Sequence, residues 1–257
     1  MTVKIAVAGA RGRMGQLIIE EVGKFQDLEL VAGFDVRGVG DPLGGGVVVS
    51  DASELAEVLR GSGAEVLIDF TTPAATVENV RAAADLGVHL VVGTTGLSED
   101  QRREIARAIG RRVAAVISPN YSLGVNLFWR LIEVAARSLQ GYDIEVIEAH
   151  HRNKVDAPSG TAAEAVRVLA EATGKGEAVY GREGQGLRGE EIGVHAVRAG
   201  DIVGDHTVLF AGPGERLEIK HQAHSRQAFA SGAVRAARWV AAAPGGVYAM
   251  ADVLGQR

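Results

Sequence analysis

The sequence predicts an α/β chain: a doubly wound parallel sheet, then a second α+β domain whose sheet is mostly antiparallel. Three observations carry this. An apolar run at 3–8 ends in a glycine turn, an amphipathic helix follows, and a second apolar run ends in an acid. Strands and helices then alternate to about residue 119. Past residue 140 the apolar period shifts to two, the spacing of strands with one buried face.

Composition narrows the options. The chain has 257 residues, a net charge of −5 and 47% hydrophobic residues. That length buries a sizeable core and fits one large domain or two modest ones. Mild acidity and 5% aromatics argue against a nucleic-acid partner, which would meet a basic face and stacking platforms. With no cysteine, disulfides, cysteinyl zinc, iron–sulfur clusters and thiol nucleophiles are excluded. The start, Met1-Thr2-Val3-Lys4, is not a basic-then-apolar leader. No run of about 18 apolar residues occurs. A cytoplasmic protein without a membrane partner is expected. The 34 glycines are the excess, against an average share of about 7%. They sit where apolar runs end, as tight turns and close ligand approach require.

The elements follow in order. Residues 3–8 are apolar but for Lys4, as in a buried parallel strand. The turn Gly9-Ala10-Arg11-Gly12-Arg13-Met14-Gly15 comes next, and Met14, Leu17, Ile18, Val22 and Phe25 share a helical face. A strand at 28–34 delivers Asp35. Then come a strand at 47–49, a helix at 53–60, a strand at 66–70 and a helix at 73–86, with Pro73 suited to its first turn. A strand at 88–92 ends in Gly93-Thr94-Thr95-Gly96, and Ser98-Glu99-Asp100-Gln101 is a capping box. A strand at 113–117 ends at Ser118-Pro119-Asn120. Six strands with intervening helices make a Rossmann-like sheet, whose ligands bind at the carboxyl ends of its strands.

Strand, glycine turn, helix, strand and acid is the dinucleotide-binding order. The turn lets backbone N–H groups reach a pyrophosphate, and the helix N-terminus adds partial positive charge. Asp35, 20 residues beyond Gly15, is placed to accept from ribose hydroxyls. The turn departs from G-x-G-x-x-G by having Ala10 at the first glycine. A turn that merely packs helix on strand is the plainer alternative; Asp35 and the alternation favour the dinucleotide. A carboxylate disfavours a 2′-phosphate, whereas Arg11, Arg13 and Arg37 accommodate one. The cofactor is therefore expected to be NADH or NADPH, with NADH favoured or equal.

In the second half, 121–139 carries a helical pattern. Ile144, Val146, Glu148 and His150 then alternate with Glu145, Ile147, Ala149 and His151. Residues 192–198, 206–210 and 216–222 read as antiparallel strands, and 227–243 as an Ala-rich helix returning to the first domain. The expected domains are 1–120, with 228–257 packing back on it, and 121–227 for substrate binding and oligomerisation.

The densest chemistry lies at 148–161. A strand end offers His150 and His151, a loop offers Lys154, and Ser159-Gly160-Thr161 opens a helix. Ser159 or Thr161 is suited to cap it, and its free N–H groups to hold a carboxylate. With the Lys154 ammonium they make an anion cradle beside a proton donor. Adjacent strand histidines face opposite ways, so they rarely share an ion, and no metal is expected. His89, inside an apolar strand, reads as structural. His195, His206, His221 and His224 carry no assigned role.

The segment EAHHRNKVDAPSGTA at 148–162 closely resembles the signature of the 4-hydroxy-tetrahydrodipicolinate (dihydrodipicolinate) reductase family. GARGRMG at 9–15, IDFTTP at 68–73, VGTTG at 92–96, SPNYSLGVN at 118–126 and VRAGDIVGDHTVLFAGPGERLEIKHQAHSR at 197–226 agree in order and spacing. The resemblance covers nearly the whole chain. It implies a two-domain reductase of lysine and diaminopimelate biosynthesis that turns a small cyclic dicarboxylate, made from pyruvate and aspartate semialdehyde, into tetrahydrodipicolinate. It implies His150 as acid–base residue and Lys154 as second proton donor. His151 and the Gly160-Thr161 amides would hold carboxylates, beside Ser159. Gly9 to Met14, Asp35, Gly93-Thr94-Thr95 and Ser118-Pro119-Asn120-Tyr121 would contact the cofactor, in a homotetramer joined through second-domain sheets. Asp35 stands where some relatives have Glu, and Arg37 rather than Val36 carries the charge after it, which bears on the NADH to NADPH ratio. The alternatives are another two-domain NAD(P) oxidoreductase of a small amino or hydroxy acid, and a non-catalytic NAD(H)-sensing module.

Overall fold

A computed structural model describes residues 2–176 and 178–255. The chain runs β1 (Val3–Ala8), α1 (Arg13–Val22), β2 (Leu28–Asp35), β3 (Pro42–Gly44), β4 (Val47–Asp51), α2 (Leu55–Ser62), β5 (Val66–Asp69) and α3 (Pro73–Asp85). It continues with β6 (His89–Val92), α4 (Glu99–Ile109), β7 (Ala114–Ile117), α5 (Leu123–Ser138), β8 (Asp143–His150) and α6 (Gly160–Thr173). The remainder is β9 (Ala178–Tyr180), β10 (Ile192–Arg198), β11 (Gly204–Gly212), β12 (Glu215–Ala223), α7 (Gln227–Val240), β13 (Gly246–Tyr248) and α8 (Met250–Val253). Two compact units result, Met1–Leu123 with Gln227–Arg257, and Gly124–Arg226. Among the described residues no helix is long and apolar enough to cross a membrane.

The first unit is an eight-stranded sheet in the order β13-β7-β6-β5-β1-β2-β4-β3. All neighbours are parallel except β3, which turns back antiparallel on β4. Period-two alternation splits the core between the two faces. Ala6, Ala8 and Leu67 join Leu59, Val80 and Ile105 of α2, α3 and α4. Ile5, Val7 and Ile68 join Ile18 of α1 with Ala233 and Val240 of α7. Each fully buried Ile or Leu contributes about 1.5–3 kcal/mol. His89 accepts a hydrogen bond from the Ala114 amide at 3.0 Å and works as a structural side chain. The order reverses at β1, flanked by β2 and β5. The loops after β1 and β5 therefore border the crevice where such sheets bind ligands.

The second unit is a five-stranded sheet, β12-β11-β8-β10-β9. Ile144 and Val146 of β8, Val208 and Phe210 of β11, and Ile192 and Val194 of β10 pack against Phe128, Ile132, Ala165 and Leu169 of α5 and α6. The longer β11 ladders, to β12 and β8, are antiparallel. Residues 192–198 do not follow the antiparallel expectation, because β10 pairs parallel with both β8 and β9. Alternation dictates which face a residue occupies. Direction depends on the connection, and α6 returns the chain the same way round.

Candidate active site

Glycine chemistry shapes the first unit's crevice. Gly9 has φ +80°, and a Cβ there would lie 2.5 Å from the Phe70 carbonyl oxygen. A Cβ on Gly15 would fall 2.1 Å from the Gly9 oxygen. Both positions exclude a side chain, so α1 approaches β1 closely. Its N-cap is Gly12, with no side-chain cap and no acid in the first turn. By contrast Thr72, Ser98 and Ser159 cap α3, α4 and α6. Arg13 opens α1 against the helix dipole. The missing cap and the misplaced cation cost the helix stability and suit a pyrophosphate.

Two adjoining cavities flank this turn within the first unit. One, of about 700 Å³, is lined by Arg13, Met14, Thr94, Asn120 and Phe229 among others. The second, of about 390 Å³, meets Gly9, Phe34, Asp35, Val36 and Leu55. Gly12, Arg37, Phe70 and Thr71 line both, so the two form one trough. An apolar pocket beside an acid fits an adenosine half, and the wider, less apolar end fits a nicotinamide half. The residues present thus fit a dinucleotide.

Asp35 is buried. It accepts from the backbone amides of Arg11 at 2.9 Å and Arg37 at 3.1 Å. The Arg11 guanidinium pairs with Asp41, and exposed Arg37 lies 3.7 Å from Asp35. Gly93, Thr95 and Pro119 also line the wider cavity. Two expected contacts, Ala10 and Ser118, lie off the cavity lining. Ala10 is wholly buried, with its amide spent on the Phe34 carbonyl. Ser118 bonds within its own turn to Asn120. Tyr121 reaches the cavity, but its hydroxyl contacts the carbonyls of Val92 and Val116, and burial pushes its pKa well up. Beneath the loops lies wholly buried Asp69. It accepts from the hydroxyls of Thr71, Thr76 and Thr94 and from the Asn79 amide, tying the loop after β5 to that after β6.

In the second unit, alternation along β8 puts Ile144, Val146, Glu148 and His150 on one buried face. The first two are core and the last two are polar, so the apolar layer ends in a charged cluster. Its chemistry is tightly ordered. The Glu148 carboxylate meets His150 Nδ1 at 2.5 Å, which puts the proton on Nδ1, while Nε2 lies over Gly204. It also accepts from Arg198 Nη1 and Nη2 at 3.0 and 2.8 Å, and from the Ser159 amide at 3.1 Å. Burial would push the Glu148 carboxyl up; Arg198, His150 and the Ser159 amide together hold it below its ordinary value. Burial lowers the His150 pKa against the pull of Glu148, and Lys154 and Arg198 add to the lowering.

Lys154 donates to both oxygens of Asp156, at 2.8 and 2.9 Å. Ser159 is the cap of α6: its Oγ accepts from the Ala162 amide at 3.2 Å and lies 3.1 Å from His206 Nε2. Ser159 is 2% exposed, so its hydroxyl is committed to the fold. A Cβ on Gly160 would meet nothing within 4 Å, so the space above it is open. His151 has an Nδ1 that is buried without a hydrogen-bond partner.

Sequence reasoning passed over Arg198 and His206. His206 is buried, opposite Glu148 in register, with its ring 5.1 Å from that of His150 at 72°. Burial, with His150 nearby, lowers its pKa to about 4, so it stays neutral. Its place on the buried period-two face of β11 was the available signal.

Known proteins place the chain. The profile described as "Dihydrodipicolinate reductase, N-terminus" matches residues 3–121, and that described as "Dihydrodipicolinate reductase, C-terminus" matches 124–254. A 4-hydroxy-tetrahydrodipicolinate reductase of Methanosarcina barkeri is 56% identical, over 98% of this chain and 99% of its own. One of Methanothermobacter thermautotrophicus is 50% identical over 98% and 99%. A dipicolinate-bound dihydrodipicolinate reductase from Paenisporosarcina sp. TG-14 superposes with a TM-score of 0.82 at 28% identity, covering 97% of this chain and 98% of that one. The chain belongs to the dihydrodipicolinate reductase family.

Proposed function

We propose that the chain reduces 4-hydroxy-tetrahydrodipicolinate to tetrahydrodipicolinate in lysine and diaminopimelate biosynthesis, using NADH or NADPH. The full-length likeness to reductases of that name, at 50–56% identity, carries the reading. When bound, the reduced nicotinamide supplies a hydride; one proton is taken up and one water lost overall.

The chain's own residues do the rest. Gly9, Gly12, Arg13 and Met14 hold the pyrophosphate, and Asp35 accepts from the ribose. Gly93, Thr94, Thr95, Asn120 and Tyr121 shape the nicotinamide end. A dianionic substrate exchanges with Asp156 for the Lys154 ammonium. The Gly160 and Thr161 amides and His151 take up its carboxylates. Protonated at both nitrogens, His150 delivers a proton from Nε2 to the electron density that hydride addition builds. Lys154 is the second donor.

Asp35 makes NADH at least equal to NADPH; a KM for NADPH far below that for NADH would refute this part. The sheet face of the second unit turned from α5 and α6 exposes Ile147 and Val197, and suits assembly into a homotetramer. Sedimentation tests that: a monomer at micromolar concentration refutes it. The site of action is cytoplasmic, which fractionation checks. The reaction itself is tested by supplying the substrate with each cofactor. Oxidation that follows substrate supports it, and cofactor binding without turnover refutes it.

A further inference from the structure

One carboxylate in the second unit joins three segments. Glu148 is wholly buried. It is met by the imidazole two residues along β8, by the amide opening α6, and by both terminal nitrogens of Arg198 on β10. Arg198 Nη2 also donates to the Asp156 carbonyl at 2.7 Å, which pins the loop carrying Lys154. Four donors occupy the carboxylate, so it has no role as acid or base toward substrate.

We propose that Glu148 and Arg198 are a positioning pair: the Arg198 fork on Glu148 holds His150 with Nε2 over Gly204 and fixes the 151–158 loop that carries Lys154. This rests on the reading of His150 as the proton donor.

The charge balance matters as much as the geometry. An unneutralised carboxylate against His150 would hold the imidazole as a cation that gives up its proton poorly. Arg198 cancels that charge while leaving the hydrogen bond in place. The groups facing His150 are Glu148 on its own strand, Arg198 from β10, Lys154 from the loop, and His206 from β11. His221 and Asp205 stand behind His206. Only Glu148 among His150's direct neighbours draws its titration upward. Neutralising each member of the pair must therefore move His150 in opposite directions.

The test is a histidine NMR titration of the full chain, with the pH profile of kcat/KM alongside. Glu148→Gln is expected to move His150 down by about one pH unit or more, and Arg198→Gln to move it up by a smaller amount. Arg198→Lys restores the titration but, lacking the fork, keeps kcat about tenfold or more below the unaltered chain. The proposal is overturned if both Gln variants leave the titration in place or move it the same way. If Glu148→Gln does not fold, the two Arg198 variants decide: an upward shift rescued by Lys supports the pair, and no shift overturns it. Absence of reductase activity in the unaltered chain would refute the function instead, and the titration would still judge the pair.

Discussion

Gly204 guards the atom from which, in the proposed mechanism, the proton is delivered. It opens β11, and a Cβ there would lie 3.0 Å from His150 Nε2, 3.4 Å from Cδ2, and 3.6 Å from His206 Cε1. Its φ is not positive, so alanine suits the backbone and the conflict is with the ring alone. Ordinary carbon contacts sit at about 3.5–4.0 Å, so the ring would have to give by a few tenths of an ångström. It has little freedom to do so, because Glu148 holds Nδ1 at 2.5 Å. In Gly204→Ala the methyl thus covers Nε2. General acid catalysis is worth about 10²–10⁴ in rate. Partial blockage should forfeit the lower end of that range, about 100-fold in kcat, or ~2.7 kcal/mol. Stability should change by only about 1 kcal/mol, since crowding is offset by the lost flexibility of glycine. Steady-state kinetics and thermal unfolding of the same preparation separate the two effects. A folded variant with kcat within about threefold of the unaltered chain would refute the reasoning.

Three further outcomes are expected. Gly160→Ala has room for its methyl, so Tm should hold or rise slightly while substrate KM rises about tenfold or more; an unchanged KM removes the Gly160 amide from the substrate contact. Gly9→Ala meets the Phe70 oxygen at 2.5 Å from a φ of +80°, so urea unfolding should reveal a loss of about 2–4 kcal/mol, and a loss under 1 would contradict the close-packed turn. His206 titrates near 4 when folded against 6.5 ordinarily. The folded state then binds fewer protons, and stability is full above pH 6.5 and falls towards pH 4, by up to about 3 kcal/mol from this group. His206→Gln should remove about one proton's worth of that slope, and an unaltered slope would show that His206 is not its source.

Much of this is written locally. The Ser98 capping box needs only four residues and forms as the pattern requires. The glycine turn, with Asp35 at the end of β2, needs a single strand–helix–strand unit. Period two along β8 places Glu148 and His150 on one face from the sequence alone. What was not legible depends on pairing across the chain. Arg198 reaches Glu148 from 50 residues away because β10 lies parallel to β8, a direction that side-chain alternation does not encode. His206 enters the cluster through the β8–β11 register. Both Ser159 and Thr161 suited the cap of α6, and the chain uses Ser159. Strands β3 and β13 have three residues each, too short to display a period.

The central claim is that the chain carries out a nicotinamide-dependent reduction whose protons come from the second unit. The direct measurement supplies NADH or NADPH with substrate made in situ from pyruvate and aspartate semialdehyde by the preceding synthase, and follows cofactor absorbance. Substrate-dependent oxidation, abolished when His150→Gln and Lys154→Ala are combined, is the predicted result. Tight cofactor binding with no oxidation of either nucleotide, or full turnover by the double variant, would contradict the account.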